Sequence, residues 1–181
     1  MTDEDVFWIL DLFKSAGVRV RVDGGWGVDA LLREQTRPHY DLDIVIRHTD
    51  LAACEQVMER ACFRILGFDG PHNFVLIDDE RHEVDVHLID LTSSRIDGQG
   101  IEVYGPNGLP YKVGSLEGTG MILDRQVGCL AAEFRYGWYS GFELTKAQIR
   151  DVIAMHERFG SPLPWDGRDE PEGRDWRDDT S

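Results

Sequence analysis

Positive charge is what this sequence has too little of. Its 19 Lys and Arg stand against 34 Asp and Glu, a formal net charge of -15. Phosphate backbones are bound by surplus lysine and arginine, so a nucleic-acid partner is not expected. A cationic or neutral small molecule suits such a field better, although part of the acidic surplus sits near the C-terminus. Cysteine is scarce as well. Cys54, Cys62 and Cys129 are an odd number with no C-x-x-C spacing, which argues against a disulfide framework or a cysteine zinc site and fits a reduced, cytoplasmic setting. Cys54 and Cys62 are expected to share a helix face as small buried hydrophobes. No run approaches the roughly 20 apolar residues of a membrane span. The opening MTDEDVFW lacks the basic and apolar regions of a secretion signal.

What is present is an ordinary globular composition: 41% hydrophobic and 29% charged residues over 181 positions, enough for one domain with a sizeable core. Thr2 is expected to cap a first helix, with Asp3, Glu4 and Asp5 in its first turn and Val6, Phe7, Ile9, Leu10 and Phe13 at helical spacing up to a stop at Gly17. Val18 to Val22 alternates as a half-buried strand, and Trp26 to Leu32 gives a short helix. Asp41 to Ile46 reads as a second strand, and a helix capped by Thr49 follows it. Gly67 to His72 is expected as a turn, and Asn73–Ile77 with Glu83–Ile89 as a hairpin. Ser93 to Gly100 reads as a polar, flexible loop, and Glu102 to Leu130 as short strands and turns at a sheet edge. Ala131 to Tyr139 is an aromatic-rich helix candidate. Thr145 and Gln148 form a capping box for a last helix running to Phe159. The order gives an α+β (α/β) fold, a mixed sheet with helices followed by C-terminal helices. The expected division is a domain at 1–160, with its core at about 1–120 and a helical part at about 121–160, and a flexible acidic tail at 161–181.

The chemistry concentrates between Val20 and Ile46. Strand alternation points Asp41 and Asp43 the same way and sends Leu42, Ile44 and Ile46 into the core. Two neighbouring carboxylates repel unless a cation lies between them, and Mg²⁺ is a hard cation that bridges carboxylates to phosphates. Gly24-Gly25 follows a strand and opens a helix, so it is either a tight turn or a place where backbone approaches an anion. On a later strand Glu83, Asp85 and His87 share one face. If that strand neighbours the first, Asp41, Asp43 and Asp85 would form a two-Mg²⁺ clamp for a nucleoside triphosphate. A zinc reading of His82, His87 and Asp85 is poor, because no histidine or cysteine pair has ligand spacing, and His82 on the opposite face reads as structural.

G-G-W, a D-x-D about sixteen residues later and a single Asp on a later strand resemble the DNA-polymerase-β-like nucleotidyltransferases. Longer strings narrow this: D-G-G-W-G-V-D-A-L-L from Asp23, Q-T-R-P-H-Y-D-L-D-I from Gln35 and E-V-D-V-H from Glu83, then S-G-F-E-L from Ser140 and D-V-I-A-M-H-E-R-F-G from Asp151. They are similar to the lincosamide nucleotidyltransferases and, more distantly, to the aminoglycoside 2''-adenylyltransferases. The likeness runs from about Asp5 to Gly160.

The resemblance implies a polymerase-β-like core and Mg²⁺-dependent transfer of AMP from ATP to a hydroxyl of a small-molecule antibiotic, a lincosamide first and an aminoglycoside next. It implies that Asp41, Asp43 and Asp85 bind the metal and are the catalytic residues, with Asp85 a candidate general base. Gly24, Gly25, Trp26, Arg37 and His39 would meet the nucleotide; Arg37 and His39 read equally as loop residues. Glu83 and His87 would either touch the acceptor or hold Asp85 in place. The aromatic run of Phe134, Tyr136, Trp138, Tyr139 and Phe142 would be either an acceptor wall or core, with Glu133 and Glu143 drawing an amine. This run is more aromatic than expected of relatives, which leaves the acceptor open. Relatives imply a homodimer completing the cleft. The alternatives are a toxin-like enzyme acting on a protein or RNA acceptor and a catalytically silent nucleotide binder; three intact carboxylates weigh against the latter.

Overall fold

The computed structural model describes residues 1–135, 144–161 and 163. Helix α1 (Asp3–Ser15) begins where sequence places it. The Asp5 amide donates to Thr2 Oγ1 at 3.3 Å and the Thr2 amide to Asp5 Oδ2 at 2.7 Å, a complete capping box. Strand β1 is only Arg21–Val22, shorter than expected. Val18 still bonds back to Phe13 and closes off α1, and the chain leaves the sheet at Asp23 to enter helix α2 (Gly24–Leu32).

Strand β2 (Asp41–Arg47) leads into a 3-10 turn at His48–Asp50, where Arg47 grips Asp50, and then into helix α3 (Leu51–Arg60). Thr49 therefore does not cap α3. Cys62 lies past the helix end at φ 65° and is exposed, so of the expected buried pair only Cys54 is in the core. Strand β3 (Arg64–Phe68) occupies part of the expected turn and pairs with β4 (Asn73–Ile77), which forms the expected hairpin with β5 (Glu83–Ile89). The expected flexible loop holds strand β6 (Ser94–Ile96), paired with β7 (Glu102–Tyr104). Strands β8 (Gly118–Ile122) and β9 (Arg125–Cys129) reach the sheet edge, followed by α4 (Ala132–Arg135) and α5 (Lys146–Phe159), whose Thr145–Gln148 capping box is present. No helix among the described residues is long and apolar enough to cross a membrane.

The main sheet runs β3-β4-β5-β2-β1-β9-β8, with β2 parallel to β5 and β1 parallel to β9. Alternation divides its faces. Leu42, Ile44 and Ile46 of β2 and Val84, Val86 and Leu88 of β5 pack with Val6, Ile9 and Phe13 of α1 and Cys54 and Met58 of α3. Val45 and Ile89 face the other way, onto Tyr111, Leu116 and Leu130. The acidic positions belong to this second face, and there the two central strands bring them together.

Candidate active site

Because β2 and β5 are parallel and in register, Asp41 lies opposite Glu83, Asp43 opposite Asp85 and Val45 opposite His87. Ligand atoms of Asp43, Asp85 and His87 all lie within 4.8 Å of one another. Asp85 Oδ1 is buried and accepts no hydrogen bond; His87 Nε2 stands 3.6 Å from it. Asp41 is exposed at the rim, outside this cluster but near enough for its charge to act on Asp43. Glu83 is half-buried opposite it.

Helix α2 delivers the next part. Asp23, bonded through its amide to the Asp43 carbonyl at 2.9 Å, caps the helix by accepting from the Gly24 amide at 2.8 Å. The two glycines are thus the first helical turn and not a loop ahead of it, and their positive dipole end adjoins the carboxylates. Gly24 has φ 55°, and a Cβ there would stand 1.6 Å from Asp43 Oδ2. A Cβ on Gly25 would stand 2.3 Å from His39 Nδ1 and 2.8 Å from Arg37 Nη2. Arg37, partly exposed, makes a two-point ion pair with the buried Asp151 of α5, Nη2 to Oδ2 at 2.9 Å and Nε to Oδ1 at 3.3 Å. It lies beside the glycine turn.

Trp26 and His39 are both packed into the protein. Each is only 2% exposed. Trp26 faces inward because the helix already begins at Gly24, and its ring packs 4.9 Å from that of His39. His39 Nε2 pairs with Asp29 Oδ2 at 2.5 Å, and Asp29 Oδ1 accepts from Thr36. A buried imidazole is satisfied by such a partner. His39 lies directly under Gly25 and Trp26 packs against it, which fits the packed reading that the sequence offered for His39. His82 is structural as expected, bonding Asp78 through Nδ1 at 2.7 Å.

Sequence reasoning passed over Asp23 and Tyr111. Tyr111 is fully buried, its hydroxyl donating to Asp23 Oδ2 at 2.8 Å and lying 2.6 Å from His87 Nδ1. The position of Asp23, directly before Gly-Gly, is a helix-cap signal. Tyr111 carries none, since it follows a stretch broken by glycine and proline. That stretch is anchored by the buried Asp90, which accepts from Thr92 and Asn107 and is held down at about 2 chiefly by the Thr92 side-chain hydrogen bond.

The electrostatics are those of crowded carboxylates. Burial first, then the charges of Asp41, Asp23 and Asp85, push the Asp43 carboxyl up to about 7, with His87 opposing. Burial works against a charged His87, yet the Asp85 carboxylate 3.6 Å away and those of Asp23 and Asp43 prevail and raise it. Such a group of hard oxygen donors with one imidazole fits a divalent cation. Of the acceptor-side candidates, Glu133 is exposed on α4. Tyr136, Trp138 and Glu143 lie outside the described residues, as do Tyr139, Phe142 and the tail at 164–181.

Comparison with known proteins shows the family and the fold. The aminoglycoside-2''-adenylyltransferase family model matches residues 5–155. A lincosamide resistance protein of Staphylococcus haemolyticus is 30% identical over 153 residues, 84% of this chain and 92% of that one. The crystal structure of the lincosamide antibiotic adenylyltransferase LnuA, lincomycin-bound, superposes with a TM-score of 0.70 at 27% identity, covering 86% of this chain and 96% of that one. The solution structure of ANT(2'')-Ia shares the fold at a TM-score of 0.63 and 17% identity, over 84% of this chain and 80% of that one. The chain belongs to the aminoglycoside-2''-adenylyltransferase family and is a nucleotidyltransferase.

Proposed function

We propose that this protein transfers AMP from ATP to a hydroxyl of a small-molecule antibiotic in a Mg²⁺-dependent reaction, with a lincosamide as first acceptor and an aminoglycoside as second. The observation that carries this reading is Gly24 packed directly on Asp43, which lies opposite Asp85 in a parallel register. A phosphate-binding turn and a carboxylate pair thereby share one small space. Mg²⁺, held by Asp43 and Asp85 with Asp41 at the rim, would supply charge neutralisation at the phosphates and polarise the reacting oxygen.

The chain's own groups account for the rest. The N-terminus of α2 and Arg37 receive phosphate oxygens. Asp85, its Oδ1 without a hydrogen bond, accepts the proton of the acceptor hydroxyl. The hydroxyl oxygen forms its bond to the α-phosphorus as the bond to pyrophosphate breaks. The products are the adenylylated acceptor, pyrophosphate and a proton. The greater likeness to lincosamide enzymes, at 30% and 27% identity against 17% for ANT(2'')-Ia, favours a lincosamide. The net charge of -15 favours a small acceptor over RNA.

The test is mass spectrometry after incubation with ATP, Mg²⁺ and a panel of lincosamides and aminoglycosides. A mass gain of one adenylyl group on a lincosamide is expected. Asp43→Asn should give no adduct while keeping the native circular-dichroism spectrum. If no member of the panel is modified, the acceptor assignment is wrong; if Asp43→Asn still transfers AMP, the metal assignment is wrong.

A further inference from the structure

We propose that the acceptor lies over strands β4 and β3, on the face of the sheet that carries Asp43 and Asp85, resting on Val75 and Gly67 and held by Asn73. The inference rests on the AMP-transfer reading above and deepens it, because it makes these three residues the ones that decide which acceptor is taken.

Strand register carries the first part of the argument. Directly opposed residues of neighbouring strands point to one face. Asp43 lies opposite Asp85, Asp85 opposite Val75 and Val75 opposite Gly67, so one straight row crosses β2, β5, β4 and β3. One row along, Val45 lies opposite His87 and His87 opposite Asn73. The other face of β4 is closed, with Phe74 and Leu76 in the core under α1 and α3. Gly67, Asn73 and Val75 are only half-buried, and among the described residues nothing stands within 4 Å of a Cβ built on Gly67. The row therefore descends from two carboxylates to an isopropyl group and then to a hydrogen, a shelf opening away from the reacting centre. Its position fits the chemistry. The glycine turn, with Arg37 beside it, follows β1, which flanks β2 on the side away from β5. An in-line displacement sets the attacking and leaving oxygens on opposite sides of phosphorus. A triphosphate held on the β1 side leaves the β4 side to the acceptor.

Two local rules are broken on this shelf, and no packing among the described residues demands either exception. A glycine inside a strand weakens it and marks a bulge or a place where a ligand comes close. Strand β3 does shift register between Ile65 and Gly67, but a bulge requires glycine only where φ is positive, and Gly67 is not among the positive-φ glycines. Asn73 is the second case. Its Oδ1 is buried and accepts no hydrogen bond, a loss that an apolar side chain of similar size avoids. Residues that the fold does not favour concentrate where function requires them. An acceptor with an apolar edge beside its reacting hydroxyl gains contact with Val75 across the bare Gly67. A hydroxyl or amine on that edge gives Asn73 its missing donor once the amide turns toward the shelf.

Gly67→Leu and Asn73→Leu test this in the full chain, with lincomycin and ATP as separate probes. Neither change removes a contact, so both variants should fold with Tm unchanged or raised. Titration calorimetry should show lincomycin affinity lowered about tenfold or more and ATP affinity within about twofold of wild type. In the adduct assay the KM for lincomycin should rise about tenfold or more while the KM for ATP stays. Weaker acceptor binding by a protein of equal or higher Tm is a result that a merely structural role for either residue does not give. Wild-type lincomycin affinity in either variant, no lincomycin binding by the wild type, or an equal loss of ATP affinity overturns the inference. A wild type that adenylylates lincomycin, with KM unchanged in the variants, keeps the proposed function and loses only the shelf. A wild type that binds lincomycin, loses that binding in both variants and transfers no AMP keeps the shelf and loses the transfer reading.

Discussion

Gly24 answers two demands at once. Its φ of 55° disfavours any side chain, and the space a Cβ would need is already filled by Asp43 Oδ2 at 1.6 Å. Gly24→Ala should therefore do more than cost the ~1 kcal/mol of a left-handed alanine. It should push the Asp43 carboxylate out of the cluster. A folded protein with a Tm lowered by a few degrees, metal affinity reduced at least about tenfold and AMP transfer reduced about 100-fold or more is the expected outcome. Calorimetry and the adduct assay measure these; retained metal affinity would mean that Asp43 is not a ligand. At this scale the sequence was readable where chemistry and period coincide. Asp41, Asp43 and Asp85 announce themselves by alternation between aliphatic neighbours. Trp26 and His39 both turn inward, His39 as the packed loop residue that the sequence offered as its alternative. Asp29, the buried partner of His39, sits in a helical stretch where an aspartate reads as solvent-facing.

Elements were legible in proportion to how local their signals are. The Thr2 cap of α1 and the capping box of α5 lie within four residues each and were found from the sequence; that Thr2 and Asp5 also form a box was not. Strands β3 and β6 were missed because nearly all their residues are exposed, leaving no alternation to read. The parallel pairing of β2 with β5, which creates the site, has no local signal. Helix α5 has a role beyond its own packing, since Asp151 holds Arg37 beside the glycine turn with both carboxylate oxygens. Asp151→Asn removes the charge that fixes that guanidinium. Breaking a fully buried pair costs about 3–5 kcal/mol, and the 22% exposure of the Arg37 side chain reduces this to about 1–2 kcal/mol. The expected kinetic signature is a KM for ATP raised about tenfold with kcat within about threefold, because positioning of the ground-state triphosphate is lost. An unchanged KM with a lowered Tm would confine Asp151 to stability.

Over the whole molecule, the excess of carboxylates would make proton and metal competitors for one place if the proposed metal site is right. Asp43 rises in the fold from an ordinary 3.8 to about 7, so the folded chain holds its proton more tightly than the unfolded one. Its contribution to stability is complete below about pH 4 and gone once the pH passes 7. His87, also raised, contributes below its ordinary 6.5 and loses that contribution as the pH climbs through its folded value. Both act in one direction. The metal-free protein should lose stability between about pH 4 and 7, with His87 extending the loss above 6.5; Asp43→Asn should flatten that slope, and Mn²⁺ should raise Tm more at pH 8 than at pH 6. Scanning calorimetry in chelator and in Mn²⁺ decides this; a flat metal-free profile with pH-independent metal stabilisation would contradict it. The hydrogen bond from Tyr111 to Asp23 spans 88 positions of chain and the Arg37–Asp151 pair spans 114. Closing such distant ends is slow and comes late in folding. No short fragment contains this site, so occupancy by metal or nucleotide reports that the chain has finished folding, and either ligand would act on it as a chaperone by mass action.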